Sequence, residues 1–281
     1  MSIVPNNVNV NSFVSGYTTF DEPIPCKGLN IYPIIMKDVF SFLSSYNILT
    51  IKKNEIPDIK IIQMSYLRFV LDLMISDELW QDKFLMIVSL CFKLNENNKY
   101  YTKEHEKNKL LVRNDGDVLI CMFNGWNVRF IIKNDKTKLY IDDVEINSKE
   151  FEEICRIIMY QNIVEYDDSY IDPDVQEVID DVSKLKNKSY TMPTIEKQMS
   201  VVSMQTGILK KDIAQISYRE FTLLFKAVVE SIDYQINKRV DLQDKKFDKT
   251  VPHWVYEQNN DKLDGVFVDK SGFDTKMQNV T

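Results

Sequence analysis

Glu165, Asp167, Asp168, Asp172 and Asp174 crowd into the junction 160–174, which reads Tyr-Gln-Asn-Ile-Val-Glu-Tyr-Asp-Asp-Ser-Tyr-Ile-Asp-Pro-Asp. Several carboxylate oxygens in one place are what Ca²⁺ or Mg²⁺ requires. The spacing departs from a cation loop, because the alternating acids lack their central glycine and no Glu closes the loop. The junction itself holds no histidine, cysteine or glycine. A solvated turn followed by acids at a helix start is the simpler expectation, each acid gaining about 0.3–1 kcal/mol from the helix dipole. Paired acids could serve glycoside hydrolysis, but nothing in the spacing selects a pair. A metal-dependent hydrolase using the Asp167–Asp174 cluster is kept as a lesser alternative. No metal and no cofactor is expected.

The remaining reactive side chains are scattered. His105 lies in a polar stretch and His253 in the C-terminal tail, neither beside a cysteine or serine in a setting that suggests a triad. Cys26, Cys91, Cys121 and Cys155 are far apart with no C-x-x-C pair, so neither a disulfide framework nor structural zinc is expected. No residue is assigned a catalytic role. Residues 198–228 resemble a helix-turn-helix in outline. Its second helix, however, sets Tyr218, Phe221, Leu224, Phe225, Val228 and Ile232 at core spacing and offers only Arg219, Lys226 and Lys238 as cations. A nucleic-acid-binding regulator using these helices is the runner-up reading, with Lys184, Lys186, Lys188, Lys197, Lys210 and Lys211 as its basic face. Nucleic acid is otherwise not an expected partner.

Aromatic side chains in polar surroundings suit protein contacts better than chemistry, since Trp and Tyr dominate binding hot spots. Tyr166 and Tyr170 in the junction, and Trp254 and Tyr256 in Pro-His-Trp-Val-Tyr at 252–256, are the expected partner-binding residues.

Composition narrows the class. The 281 residues are 44% apolar with 7 glycines, which provides for a sizeable core and favours helices over glycine-rich phosphate loops. A net charge of −7 supplies no bulk field for nucleic acid or an anionic membrane. The charge is uneven: residues 141–182 hold 14 acidic and 2 basic side chains, whereas 184–211 hold 6 lysines and one Glu. Such opposed blocks suit partner contacts or a homo-oligomer. The start shows no apolar secretory segment and no run is long enough to span a bilayer, so a cytoplasmic chain with no membrane partner is expected.

The elements follow from periodicity. Residues 1–19 read as a flexible arm and 20–109 as a strand or hairpin near 24–36 plus helices. Asp38 is placed to cap the first helix, a second spans 58–75, and a third runs from Ser76 through Leu94. Residues 95–109 are polar and read as a loop. The period then becomes two over 110–147: strands at 117–123 and 126–132 flank Asn124-Gly125, Asn134-Asp135 turns into 138–141, and 144–146 adds an edge. A C-terminal helical block covers 148–240. Within it, Ser148 is the start of a helix with an ordinary cap and a stripe of Phe151, Ile154, Cys155, Ile158 and Met159. Further helices are expected at 173–186, 194–206 and 217–238, and 241–281 reads as a polar tail. The fold class is α+β, mainly helical, with a small antiparallel β-meander inserted between helical blocks.

Three stretches carry a resemblance: Ile-Ile-Met-Tyr-Gln-Asn through Asp-Pro-Asp within 154–174, the run 193–236, and Pro-His-Trp-Val-Tyr at 252–256. Together with 23–43 they resemble tail-assembly and baseplate-hub assembly proteins of large tailed bacteriophages. The resemblance implies a non-enzymatic role with phage tail or baseplate subunits as partners, as chaperone or structural component. It implies a place in the host cytoplasm or the virion tail, and it transfers no catalytic residue.

Overall fold

Pairs of left-handed residues mark where the chain reverses. Lys27–Gly28 (φ 50° and 94°), Asn134–Asp135 (49° and 57°) and Asp142–Asp143 (46° and 66°) have the two positive φ values of a type I′ turn. Gly116 alone is positive (60°) at the first position of the Gly116–Asp117 turn, as type II′ requires. These turns follow the strand twist, and each closes a two-residue hairpin. β1 (Ile24–Cys26) pairs with β2 (Leu29–Ile31). β3 (Leu110–Asp115), β4 (Val118–Phe123), β5 (Val128–Lys133), β6 (Lys136–Ile141) and β7 (Val144–Ile146) form a five-stranded antiparallel meander in that order. The computed structural model describes residues 3–5, 8–53, 56–94, 109–123, 126–168 and 193–243. Asn124-Gly125, all but Lys109 of the loop expected over 95–109, the helix expected at 173–186 and residues 244–281 of the tail expected over 241–281 lie outside the described residues.

Helix starts are set by side-chain caps. Asp77 Oδ1 accepts from Leu79 N–H (2.9 Å) and opens α5 (Glu78–Phe92). Asn147, not Ser148, caps α6 (Ser148–Asn162), and Glu150 completes a full capping box where an ordinary cap was expected. The single helix expected over 58–75 is two, α3 (Ile59–Gln63) and α4 (Tyr66–Ser76). Extended Met64 interrupts them and Ser65 Oγ accepts from Arg68 N–H to start the second. α2 (Val39–Ser45) follows Asp38, but the Asp38 side chain makes no capping bond. The segment read as a flexible arm contains α1 (Val10–Thr18), which buries Val10 and Val14 and packs on α6. Its core-facing residues sit at helical spacing, and burial outweighs the polar residues between them.

The chain divides into two compact units, residues 1–167 with 209–223 and residues 168–208 with 224–281. In the first, helices and meander share one core rather than forming separate blocks. Phe84 of α5 sits at its centre, with ring centroids 6.1 Å from Phe123, 5.4 Å from Phe130 and 6.4 Å from Phe151. The stretch 32–36, which follows β2, staples the rest. Tyr32 N–H donates to Cys91 O (2.7 Å), Ile34 N–H to Asn162 Oδ1 (2.8 Å), Met36 N–H to Ile216 O (2.9 Å), and Tyr218 N–H to Ile34 O (2.7 Å). The short α8 (Lys210–Ile213) and the start of α9 (Tyr218–Gln243) are thereby fixed. In the second unit, α7 (Ile195–Thr206) is capped by Thr194 and ends at left-handed Gly207.

Candidate interaction surface

The acidic cluster kept as a lesser alternative lies only partly within the described residues. Glu165, Asp167 and Asp168 are exposed where the chain leaves α6, and no group of three metal-ligating side chains occurs among the described residues. Asp172 and Asp174 lie outside them, as do His105, His253 and the partner-binding candidates Tyr170, Trp254 and Tyr256. Tyr166 is half-buried with its ring edge-on to Tyr160, centroids 4.8 Å apart. It packs against the core of its unit.

Other reactive groups are turned inward. All four thiols are buried. Burial raises the pKa of Cys91, Cys121 and Cys155, and it pushes Cys26 up to about 11. A thiol held protonated is a poor nucleophile and a poor ligand. Arg219, one of the cations a DNA-reading helix would present, donates to Tyr160 O at 2.9 Å, and burial lowers its pKa. Glu150 is 2% exposed and pairs with Lys27 Nζ at 2.8 Å. Burial pushes its carboxyl pKa up, but the Asn147 N–H and the Lys27 ammonium outweigh this and hold it below the usual range.

The meander presents a different kind of surface. Its inner face carries Cys121, Phe123, Val128, Phe130, Leu139 and Ile141 into the core. The opposite face is set by the same period of two. Leu111 stands beside Met122, and Ile120 beside Ile131, with Val118 next along β4. Leu111 and Met122 are 49% and 38% exposed, and the other three are half-buried. Polar groups rim this apolar strip. Arg129 lies 5.0 Å from the Tyr140 ring centre and pairs with Asp143 at 3.0 Å. Glu145 accepts from Tyr140 Oη (2.8 Å) and pairs with Lys138 (2.7 Å). These two bonds lower the Glu145 pKa. A shallow pocket of about 170 Å³ opens beside Met122, Trp126, Arg129 and Tyr140. Sequence reading placed four of the five strands, leaving out β3, and it missed this face. The signal lay in the residues between the core-facing ones, Val118, Ile120 and Met122, which are also apolar.

Fold and surface define an α+β protein with an exposed apolar sheet face. Compared with known proteins, the chain matches no protein-family model, no curated protein and no solved structure. No helix among the described residues is long and apolar enough to cross a membrane.

Proposed function

We propose that the chain is a non-enzymatic assembly protein of a bacteriophage tail or baseplate, acting by protein–protein contact as a transient chaperone or a lasting component. The observation that carries the contact-based reading is the outer face of the meander. Apolar side chains from three adjacent strands line it, Leu111 and Met122 exposed and Val118, Ile120 and Ile131 half-buried. Contiguous exposed apolar surface with a polar rim is the usual mark of a protein-binding site. The thiols, Arg219 and Glu150 are buried or engaged internally, which fits a scaffold better than a reaction centre. The phage partner rests on the resemblance carried by 23–43, 154–174, 193–236 and 252–256, which implies a place in the host cytoplasm or the virion tail.

Affinity capture from phage-infected cells, with the bound proteins identified by mass spectrometry, tests this reading. Tail or baseplate subunits should be retained by the natural chain and depleted about ten-fold or more by Ile120→Asp combined with Met122→Lys, a loss of hot-spot size. Retention of the same subunits by a folded double variant would remove the outer face from the proposal. Absence of tail and baseplate subunits from the natural capture would remove the phage role.

A further inference from the structure

The two edges of the meander differ in how they are protected. In a two-residue hairpin the flanking residues form a hydrogen-bonded pair, and bonding then alternates along each strand. Ile141 and Val144 flank the Asp142–Asp143 turn, so Val144 and Ile146 bond to β6 and only Glu145 turns its peptide groups outward. Lys27 Nζ donates to the Glu145 carbonyl at 2.9 Å. A short strand closed by a lysine is a protected edge.

β3 is six residues long and lacks that protection. Asp115 and Val118 flank its turn, so Leu111, Arg113 and Asp115 bond to β4 while Leu110, Val112 and Asn114 face outward. The Leu110 N–H bears out this parity, since it donates to Gln81 Oε1 at 3.0 Å. No described residue takes up the outward groups of Val112 and Asn114, and β4 is the only strand beside β3 among the described residues. Residues 111–115 are all exposed, with Val112 at 51%. β3 contains neither proline nor lysine.

The charges on β3 identify what fits it. Laid antiparallel against its own copy about a two-fold axis at Asn114, β3 sets Arg113 opposite the partner's Asp115 and Asp115 opposite the partner's Arg113. Asn114 meets the partner's Asn114, so outward bonding groups face outward bonding groups. The neighbouring register of the same parity, centred on Val112, sets Arg113 opposite the partner's Leu111. It also needs the Leu110 N–H that Gln81 already holds. We propose that β3 is a homodimerisation edge: two copies of this chain join their meanders into one continuous antiparallel sheet, two-fold about Asn114, with paired Arg113 and Asp115 across the seam. This inference stands independently of any phage role.

Sedimentation velocity of the full chain over a dilution series tests it. The natural chain should shift from dimer to monomer on dilution. Arg113→Asp and Asp115→Arg each place like charges opposite one another twice, so each should raise the dimer Kd about ten-fold or more. An equal mixture of the two variants should recover the dimer, because each then offers the other its opposite charge. Misfolded variants could not rescue each other in this way. Asn114→Pro, which removes the outward N–H at the two-fold axis but no bond to β4, should also be monomeric. A natural chain that stays monomeric throughout the series, single variants with unchanged Kd, or a mixture that fails to recover the dimer would each overturn the proposal.

Discussion

Glu150 joins two distant parts of the chain. One carboxylate oxygen accepts the Asn147 N–H at 2.8 Å and closes the capping box of α6, while the other pairs with Lys27 of the β1–β2 turn at 2.8 Å. Its pKa is held below the usual carboxylate range, so the unfolded chain takes up this proton at higher pH than the folded one. The stabilisation is therefore full above the unfolded pKa and is lost as pH falls through the folded value. Glu150→Gln should cost about 1–3 kcal/mol at neutral pH, and the gap from the natural chain should narrow on acidification. Melting temperatures measured from pH 7 to pH 3 check both; a gap independent of pH would mean that the charge of Glu150 contributes nothing. Asn162 acts similarly without charge. It accepts from Ile34 N–H and donates to Ile158 O, each at 2.8 Å, and is fully buried. Asn162→Ala should cost about 1–3 kcal/mol in urea unfolding, because the Ile34 N–H is then buried without a partner. Neither long-range bond was legible in the sequence. Glu150 stands at the N3 position after Asn147, so the cap was readable there had Asn147 been taken as its start. The Lys27 and Ile34 partners are more than a hundred residues away in the chain.

At the scale of elements, the meander was the most legible part. Asn134-Asp135 adopts the left-handed pair its residue types favour, and the strands on both sides of Asn124-Gly125 pair as their alternation suggests. Asp135 pays a steric cost at φ 57° that glycine avoids. Asp135→Gly should therefore stabilise the β5–β6 hairpin by about 0.5–1 kcal/mol, read as a raised urea midpoint; a lowered midpoint would contradict the turn assignment. The helices were legible where apolar residues repeat, as in α5 and α6, and less so where a side-chain bond sets the boundary. Ser65 divides one apparent helix into two, and no apolar pattern records that break. α1 was obscured by its Asn- and Ser-rich composition, although Val10, Phe13, Val14 and Tyr17 keep helical spacing. The apolar outer face escaped notice because strands covered on both sides and strands open on one can both read as apolar runs.

For the molecule as a whole, sequence blocks and cores do not coincide. Phe84, Phe123, Phe130 and Phe151 come from separate stretches, yet they meet around one point. Phe84→Ala should cost about 3–5 kcal/mol and weaken helices and meander together in one transition. Far-ultraviolet circular dichroism and tryptophan fluorescence should then report the same midpoint; two midpoints would mean that the meander unfolds separately. Function was less legible than fold. The acidic junction drew notice by its composition, whereas the exposed apolar face emerges only when strands are paired. Quantitative mass spectrometry of purified phage particles beside the fractionated lysate of infected cells tests the proposed assembly role most directly. The chain should appear in particles at a fixed ratio to tail or baseplate subunits, or co-fractionate with those subunits before assembly and be missing from particles. A chain found with tail and baseplate subunits in neither fraction would contradict that role.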